Sequence, residues 1–75
     1  MQAYILIQTD VGKASSVTAA LRALTGVVSA EEVIGPYDLI AKVEAASVEA
    51  LGAEIIKQIQ QVPGITRTLT CSVVR

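Results

Sequence analysis

The side chains of this sequence that could do chemistry gather in two places: Gly35-Pro36-Tyr37-Asp38 near the middle, and the hydroxyl row Thr66, Thr68, Thr70 near the end. Asp38 offers a carboxylate suited to an ammonium group. The threonines can donate to a carboxylate or accept from an ammonium, so together the set suits a small zwitterion. Each also has a plainer reading. An aspartate beside a turn closes it by accepting from nearby backbone amides, and threonines favour the polar face of a half-exposed strand. Covalent and metal chemistry have little to work with. The chain has one cysteine, Cys71, and no histidine, so zinc and iron–sulfur sites lack ligands and a Cys–His nucleophilic pair cannot be assembled. Cys71 reads as a small buried hydrophobe. The adjacent Glu31 and Glu32 point to opposite faces of any strand, which makes them a poor acid–base pair and a good charged edge. Gly12-Lys13 with Ser15-Ser16 lacks the G-x-x-x-x-G-K-[ST] run needed to cradle a phosphate. No cofactor and no metal is expected.

Composition narrows the class further. A chain of 75 residues holds one domain, here residues 1–75, and a domain this small buries only about 60% of the surface its unfolded chain exposes. Yet 52% of its residues are hydrophobic and 17% charged, more apolar material than one small core can hide, so another subunit is expected to cover part of it. The six basic residues, Lys13, Arg22, Lys42, Lys57, Arg67 and Arg75, are scattered against a formal net charge of −1. Direct nucleic-acid binding, which needs clustered cations, is therefore not expected. The apolar run Ala3 to Ile7 is too short to span a bilayer, Met1-Gln2 supplies no basic leader, and a lone cysteine provides no disulfide framework; a soluble cytoplasmic protein is expected.

The elements that must position these residues follow from periodicity. Ala3 to Thr9 reads as a strand that is apolar on both faces. Val17, Ala20, Leu21 and Leu24 mark one stripe of a helix from about Lys13 to Thr25, stopped by Gly26. Val27 to Ile34 and Tyr37 to Ala45 form a hairpin around Gly35-Pro36. Ser47 is placed to cap a second helix carrying Val48, Leu51, Ile55, Ile59 and Val62, ended by Pro63-Gly64. Ile65 to about Val74 is a last, alternating strand. Strand, helix, strand, strand, helix, strand is the split βαβ pattern: a ferredoxin-like α+β sandwich, with a four-stranded antiparallel sheet, two helices on one face and the other face open. If Leu39, Ala41 and Val43 face the helices together with Leu69, Cys71 and Val73, then Asp38 shares the open face with Thr66, Thr68 and Thr70. Exposing the doubly apolar first strand on that face would leave Ile or Leu side chains in water at about 1.5–3 kcal/mol each. A second sheet is expected to cover it.

Ala3-Tyr4-Ile5-Leu6-Ile7, then Gly35-Pro36-Tyr37-Asp38-Leu39-Ile40, then Pro63-Gly64-Ile65 followed by Thr68 and Thr70 resemble, in order and spacing, the effector-binding (RAM) module of the Lrp/AsnC family of regulators. The resemblance spans nearly all of the chain. It implies a βαββαβ module that pairs sheet to sheet as a dimer of the α+β barrel type and assembles into larger rings, with an amino acid held where dimers meet. Carried over residue by residue, it implies that Gly35 and Tyr37 shape the pocket, that Asp38 meets the effector's ammonium, and that Thr68 and Thr70 add polar contacts. The family's amino-terminal helix-turn-helix domain has no counterpart in these 75 residues, which implies a stand-alone module acting on transcription through a full-length partner regulator rather than at DNA. Two other readings stay open at this point: a small dimeric α+β barrel enzyme of oxygenase or isomerase type using Asp38 as base, and a purely structural assembly subunit.

Overall fold

The first strand, β1 (Gln2–Thr9), runs through the middle of the sheet between β3 (Leu39–Glu44) and β4 (Ile65–Ser72). Its Ala3, Ile5 and Ile7 are buried on the helix side, whereas Tyr4 and Leu6 lie on the open face. The computed structural model describes residues 1–74; Arg75, the last of the scattered basic residues, lies outside them. Strand β2 (Val27–Glu32) completes an all-antiparallel sheet of order β2-β3-β1-β4. The chain order is βαββαβ, and the fold is the expected ferredoxin-like sandwich.

Both helices lie on one face. Helix α1 (Ala14–Arg22) buries Val17 and Leu21, with Leu24 packed beside them, as its spacing predicts. At its end Arg22 reaches the outer edge of β2: Nε and Nη2 donate to the Ala30 carbonyl at 3.0 and 2.7 Å, and Nη2 lies 3.6 Å from Glu31. A long charged side chain thus covers part of an unpaired strand edge, with Glu31 and Glu32 exposed on it. Helix α2 begins at Val48–Ala50, where Ser47 Oγ accepts from the Ala50 amide at 3.1 Å, the predicted cap. It continues as a π-helical stretch, Leu51–Ile56, and returns to α geometry at Lys57–Gln60. Periodicity gives no warning of that wider turn, because Leu51, Ile55 and Ile59 stay buried through it. Gly26 lies against it with φ +93°; a Cβ there would fall 2.6 Å from Ile55 Cδ1. The core under the helices includes Ile5, Ile7, Leu39 and Val43, all at most 1% exposed. Among the described residues no helix is long and apolar enough to cross a membrane.

The last strand overturns one expectation. Its alternation is correct but its sense is inverted. Thr70 pairs with Ile5 and Thr68 with Ile7, whereas Leu69 pairs with Leu6 and Cys71 with Tyr4. Directly paired residues share a sheet face, so Thr68 and Thr70 lie on the helix side, and Leu69 and Cys71 on the open side with Tyr4, Leu6 and Ile40. The cause is a β-bulge: Gln8 pairs with Arg67 but Thr9 with Ile65, skipping Thr66. The extra residue reverses parity, so that Ile65, which packs on the core, is on the face of Thr68 rather than of Leu69. Cys71 is accordingly exposed in this chain, not buried.

Candidate functional site

The hairpin and the ends of β1 and β4 meet at one end of the sheet. Gly35-Pro36 breaks the hairpin sooner than its pattern suggests, leaving Val33 to Asp38 as a loop closed by the Val33 amide donating to the Asp38 carbonyl at 2.9 Å. Three bonds then fix the loop on β1. The Asp38 amide donates to the Ile7 carbonyl at 2.9 Å, Gln8 Nε2 donates to the Pro36 carbonyl at 3.0 Å, and the Thr9 amide donates to Asp38 Oδ2 at 2.8 Å. The Thr9 hydroxyl adds a longer donation to the same oxygen, at 3.3 Å. Gln8 and Thr9 were not singled out by sequence reasoning. Their polar side chains at the end of an otherwise apolar strand were the available signal.

Asp38 is half-buried, and its plainer reading is realised: it binds a backbone amide next to the turn. Only Oδ2 is used for this. Among the described residues no donor meets Oδ1, which leaves one carboxylate oxygen able to accept from a ligand.

Two of the expected site residues share a cavity. A groove of about 430 Å³ on the open face is lined by Leu6, Val33, Ile34, Gly35, Pro36, Tyr37 and Ile40. Its walls are almost wholly carbon, and Ile34, at its rim, is fully exposed. Asp38 is the next residue after Tyr37 and precedes β3 with the parity of Ile40. The threonines are not in this groove. Thr68 lines a separate cleft of about 180 Å³ with Gln60, Ile65, Thr66 and Arg67, and Thr70 is half-buried on the helix side opposite Ile5. One carboxylate and a threonine row therefore do not share a face, contrary to the parity argument, because of the bulge at Thr66. They remain close along the sheet: Asp38 bonds to Ile7, whose partner across the other ladder is Thr68.

Chemically the arrangement is suited to binding. Asp38 is half-buried and accepts from the amide and hydroxyl of Thr9 through one oxygen, beside a carbon-lined groove. Among the described residues no cluster of three or more His, Cys, Asp or Glu is placed to hold a metal ion. A larger hollow, about 490 Å³ between Met1, Gln2, Glu44 and Val73, lies at the opposite end of the sheet and contains none of the expected residues.

A four-stranded antiparallel sheet with two helices on one face and a hairpin-end groove on the other defines a ferredoxin-like module with its apolar opening on the uncovered side. The family model of the Lrp/AsnC ligand binding domain matches residues 2–75, and the chain belongs to that family. Solved structures agree. A hypothetical protein from Pyrococcus horikoshii is 36% identical over 99% of this chain and 90% of its own, with a TM-score of 0.88. E. coli AsnC is 29% identical over 99% of this chain and 50% of its own, at 0.90. A transcriptional regulator from Neisseria meningitidis, solved as an L-Met complex, has the same fold at 18% identity and 0.85, over 99% of this chain and 49% of its own. A search of curated proteins finds no match.

Proposed function

We propose that this chain is an oligomeric, non-enzymatic amino-acid sensor that modulates transcription through a partner regulator of its own family rather than by touching DNA. The observation that carries the reading is the hairpin-end site. It sets an apolar groove of about 430 Å³ beside a half-buried carboxylate that keeps one oxygen free. A carbon-lined pocket with few, placed polar groups is the usual form of a small-ligand site. In this reading Gly35 and Tyr37 shape the pocket and Asp38 Oδ1 accepts from the ligand's ammonium. Thr68 and Thr70 stand on the other face of the same protomer, so they reach a ligand held between copies. The AsnC likeness and the L-Met complex of a regulator with this fold support an amino acid as the ligand class. The scattered cations of residues 1–75, acting as one effector domain, support action through a partner.

The open sheet face supports a dimer. Tyr4 and Leu69 are 42% and 46% exposed, Leu6 and Ile40 are half-buried, and all lie on that face. A stable interface takes about 800 Å² from each partner, roughly a sixth of the chain's 4610 Å² surface. That is within what one sheet face offers. The mechanism is linkage: a ligand bound between dimers stabilises the assembly in which that contact is made, by RT ln(1 + [L]/Kd). Thermal-shift screening of the twenty amino acids, followed by native mass measurement with each hit, tests the proposal. At least one amino acid should raise Tm and change or tighten the assembly. No shift from any of them at millimolar concentration rejects it.

A further inference from the structure

The two edges of the sheet meet solvent differently. At β2 the edge is guarded: Arg22 occupies the Ala30 carbonyl, Glu31 and Glu32 are exposed on the strand, and the ladder to β3 skips Val28. Charges and bulges of this kind keep a strand edge from pairing with another chain. At β4 nothing comparable guards the stretch after the bulge at Thr66. Residues 67–74 contain no acid, no lysine and no proline, and Arg67, at their start, is the one charge. The Val73 amide donates to the Gln2 carbonyl at 2.9 Å, and alternate residues of an antiparallel strand turn their backbone groups to the same side, so Arg67, Leu69, Cys71 and Val73 bond toward β1. Thr68, Thr70 and Ser72 therefore turn their amides and carbonyls outward. Among the described residues no loop or side chain bonds to those groups.

We propose that this edge is an interaction surface for a second copy of the chain, with β4 pairing antiparallel to the partner's β4 about a twofold axis at Thr70. The register follows from where the regular edge begins and ends. Centring on Thr70 sets residues 67–73 against the same stretch of the partner, between the bulge at Thr66 and the last residue that bonds to β1. Thr68 then meets the partner's Ser72, Thr70 the partner's Thr70 and Ser72 the partner's Thr68, pairs that exchange about six N–H···O bonds. Hydroxyl-bearing residues face one another on the helix side, and Leu69 lies opposite the partner's Cys71 on the open side, which carries the apolar face across the seam. The charges agree as well. Arg67 lies opposite the partner's Val73, so the two arginines stand about 20 Å apart along the strands, beyond the Debye length. An isologous contact closes at two copies, so this edge adds a second twofold to the sheet-face dimer and lets assembly go further. It uses none of the hairpin groove and stands whether or not an amino acid binds there.

The test is disulfide trapping in the full chain. Thr70→Cys, made together with Cys71→Ser, sets two thiols opposite one another at about 5.5 Å between Cα atoms, within reach of a disulfide. Thr70 shares the helix side with Ile5, where a sheet-face dimer brings no two copies together. Thr66→Cys with Cys71→Ser is the control, its thiols lying at opposite ends of the seam. In a glutathione redox buffer Thr70→Cys should form a covalent dimer about tenfold faster than the control. Adding Ser72→Pro removes an outward amide and no bond to β1, so it should slow that cross-link about tenfold with the far-ultraviolet circular dichroism unchanged. Ser72 is exposed at the end of the strand, and Ser72→Pro in the otherwise wild-type chain should also lower the assembly mass in native mass spectrometry. The proposal is overturned if Thr70→Cys cross-links no faster than Thr66→Cys, or if Ser72→Pro changes neither the cross-linking nor the mass; the edge is then left to water or to another polypeptide.

Discussion

Replacing Leu69 with lysine separates a covered sheet face from a wet one. Leu69 pairs with Leu6 on the face away from the helices and is 46% exposed in the single chain. Full burial of a leucine is worth about 1.5–3 kcal/mol, and about half of that remains to be gained, roughly 1 kcal/mol per copy. A twofold dimer holds two such leucines, so about 2 kcal/mol is lost when both are removed. Two ammonium groups must also be desolvated or bent to the rim, adding about 1 kcal/mol each even when the long side chains find water. The sum, about 4 kcal/mol per dimer, weakens association roughly a thousandfold. Sedimentation velocity across a micromolar concentration series should therefore find Leu69→Lys as monomer where wild type is assembled, while Leu69→Met assembles like wild type. Cys71 gives a second reading, since it lies on the same face opposite Tyr4. Its thiol should react slowly in assembled wild type and at a free thiol's rate in Leu69→Lys. If the lysine variant sediments as wild type does and its Tm has the same concentration dependence, the face is solvent-exposed and the dimer reasoning is wrong.

Other expectations follow from single contacts. Asp38→Ala removes the acceptor of the Thr9 amide and should lower stability by about 1–3 kcal/mol in urea unfolding. Asp38→Asn keeps a carbonyl for that amide and should recover most of the loss, yet still weaken amino-acid binding about tenfold or more by removing the charge at the free oxygen; equal affinity for wild type and Asp38→Asn would assign the residue to the turn alone. Ser47→Ala deletes the cap of α2 and should cost about 1 kcal/mol of unfolding free energy with no effect on ligand affinity.

How far the fold could be read ahead of the structure depended on whether side chains or backbone carried the information. The apolar run of β1 announced a strand, Gly35-Pro36 announced the hairpin, and Ser47 announced a cap; each is a side-chain preference expressed locally. The π-helical turn at Leu51–Ile56 and the bulge at Thr66 are backbone adjustments. Neither interrupts the hydrophobic spacing around it, so neither is legible from spacing. The second one mattered for the site. With Ile65 on the core, strict alternation assigns Arg67 and Leu69 to the same side, and one skipped residue sends Thr68 there instead. The reading of Cys71 failed for the same reason, compounded by the assumption that apolar residues of an edge strand must face the helices. In a sheet whose second face is also apolar, that assumption has no force. That Gly35, Tyr37 and Asp38 stand together at the hairpin end was legible because the turn itself places them. The contribution of Thr9 was not, because it depends on which residue the hairpin folds onto.

The central claim is that a free amino acid binds at the hairpin end and governs assembly. Calorimetry of the wild-type protein with the amino acid that gives the largest thermal shift, run beside native mass spectrometry of the same samples, tests it most directly. Saturable binding lost in Asp38→Asn, together with a ligand-dependent change in the mass of the assembly, is the predicted result. Heat of dilution alone for all twenty amino acids, with one assembly mass throughout, would contradict it.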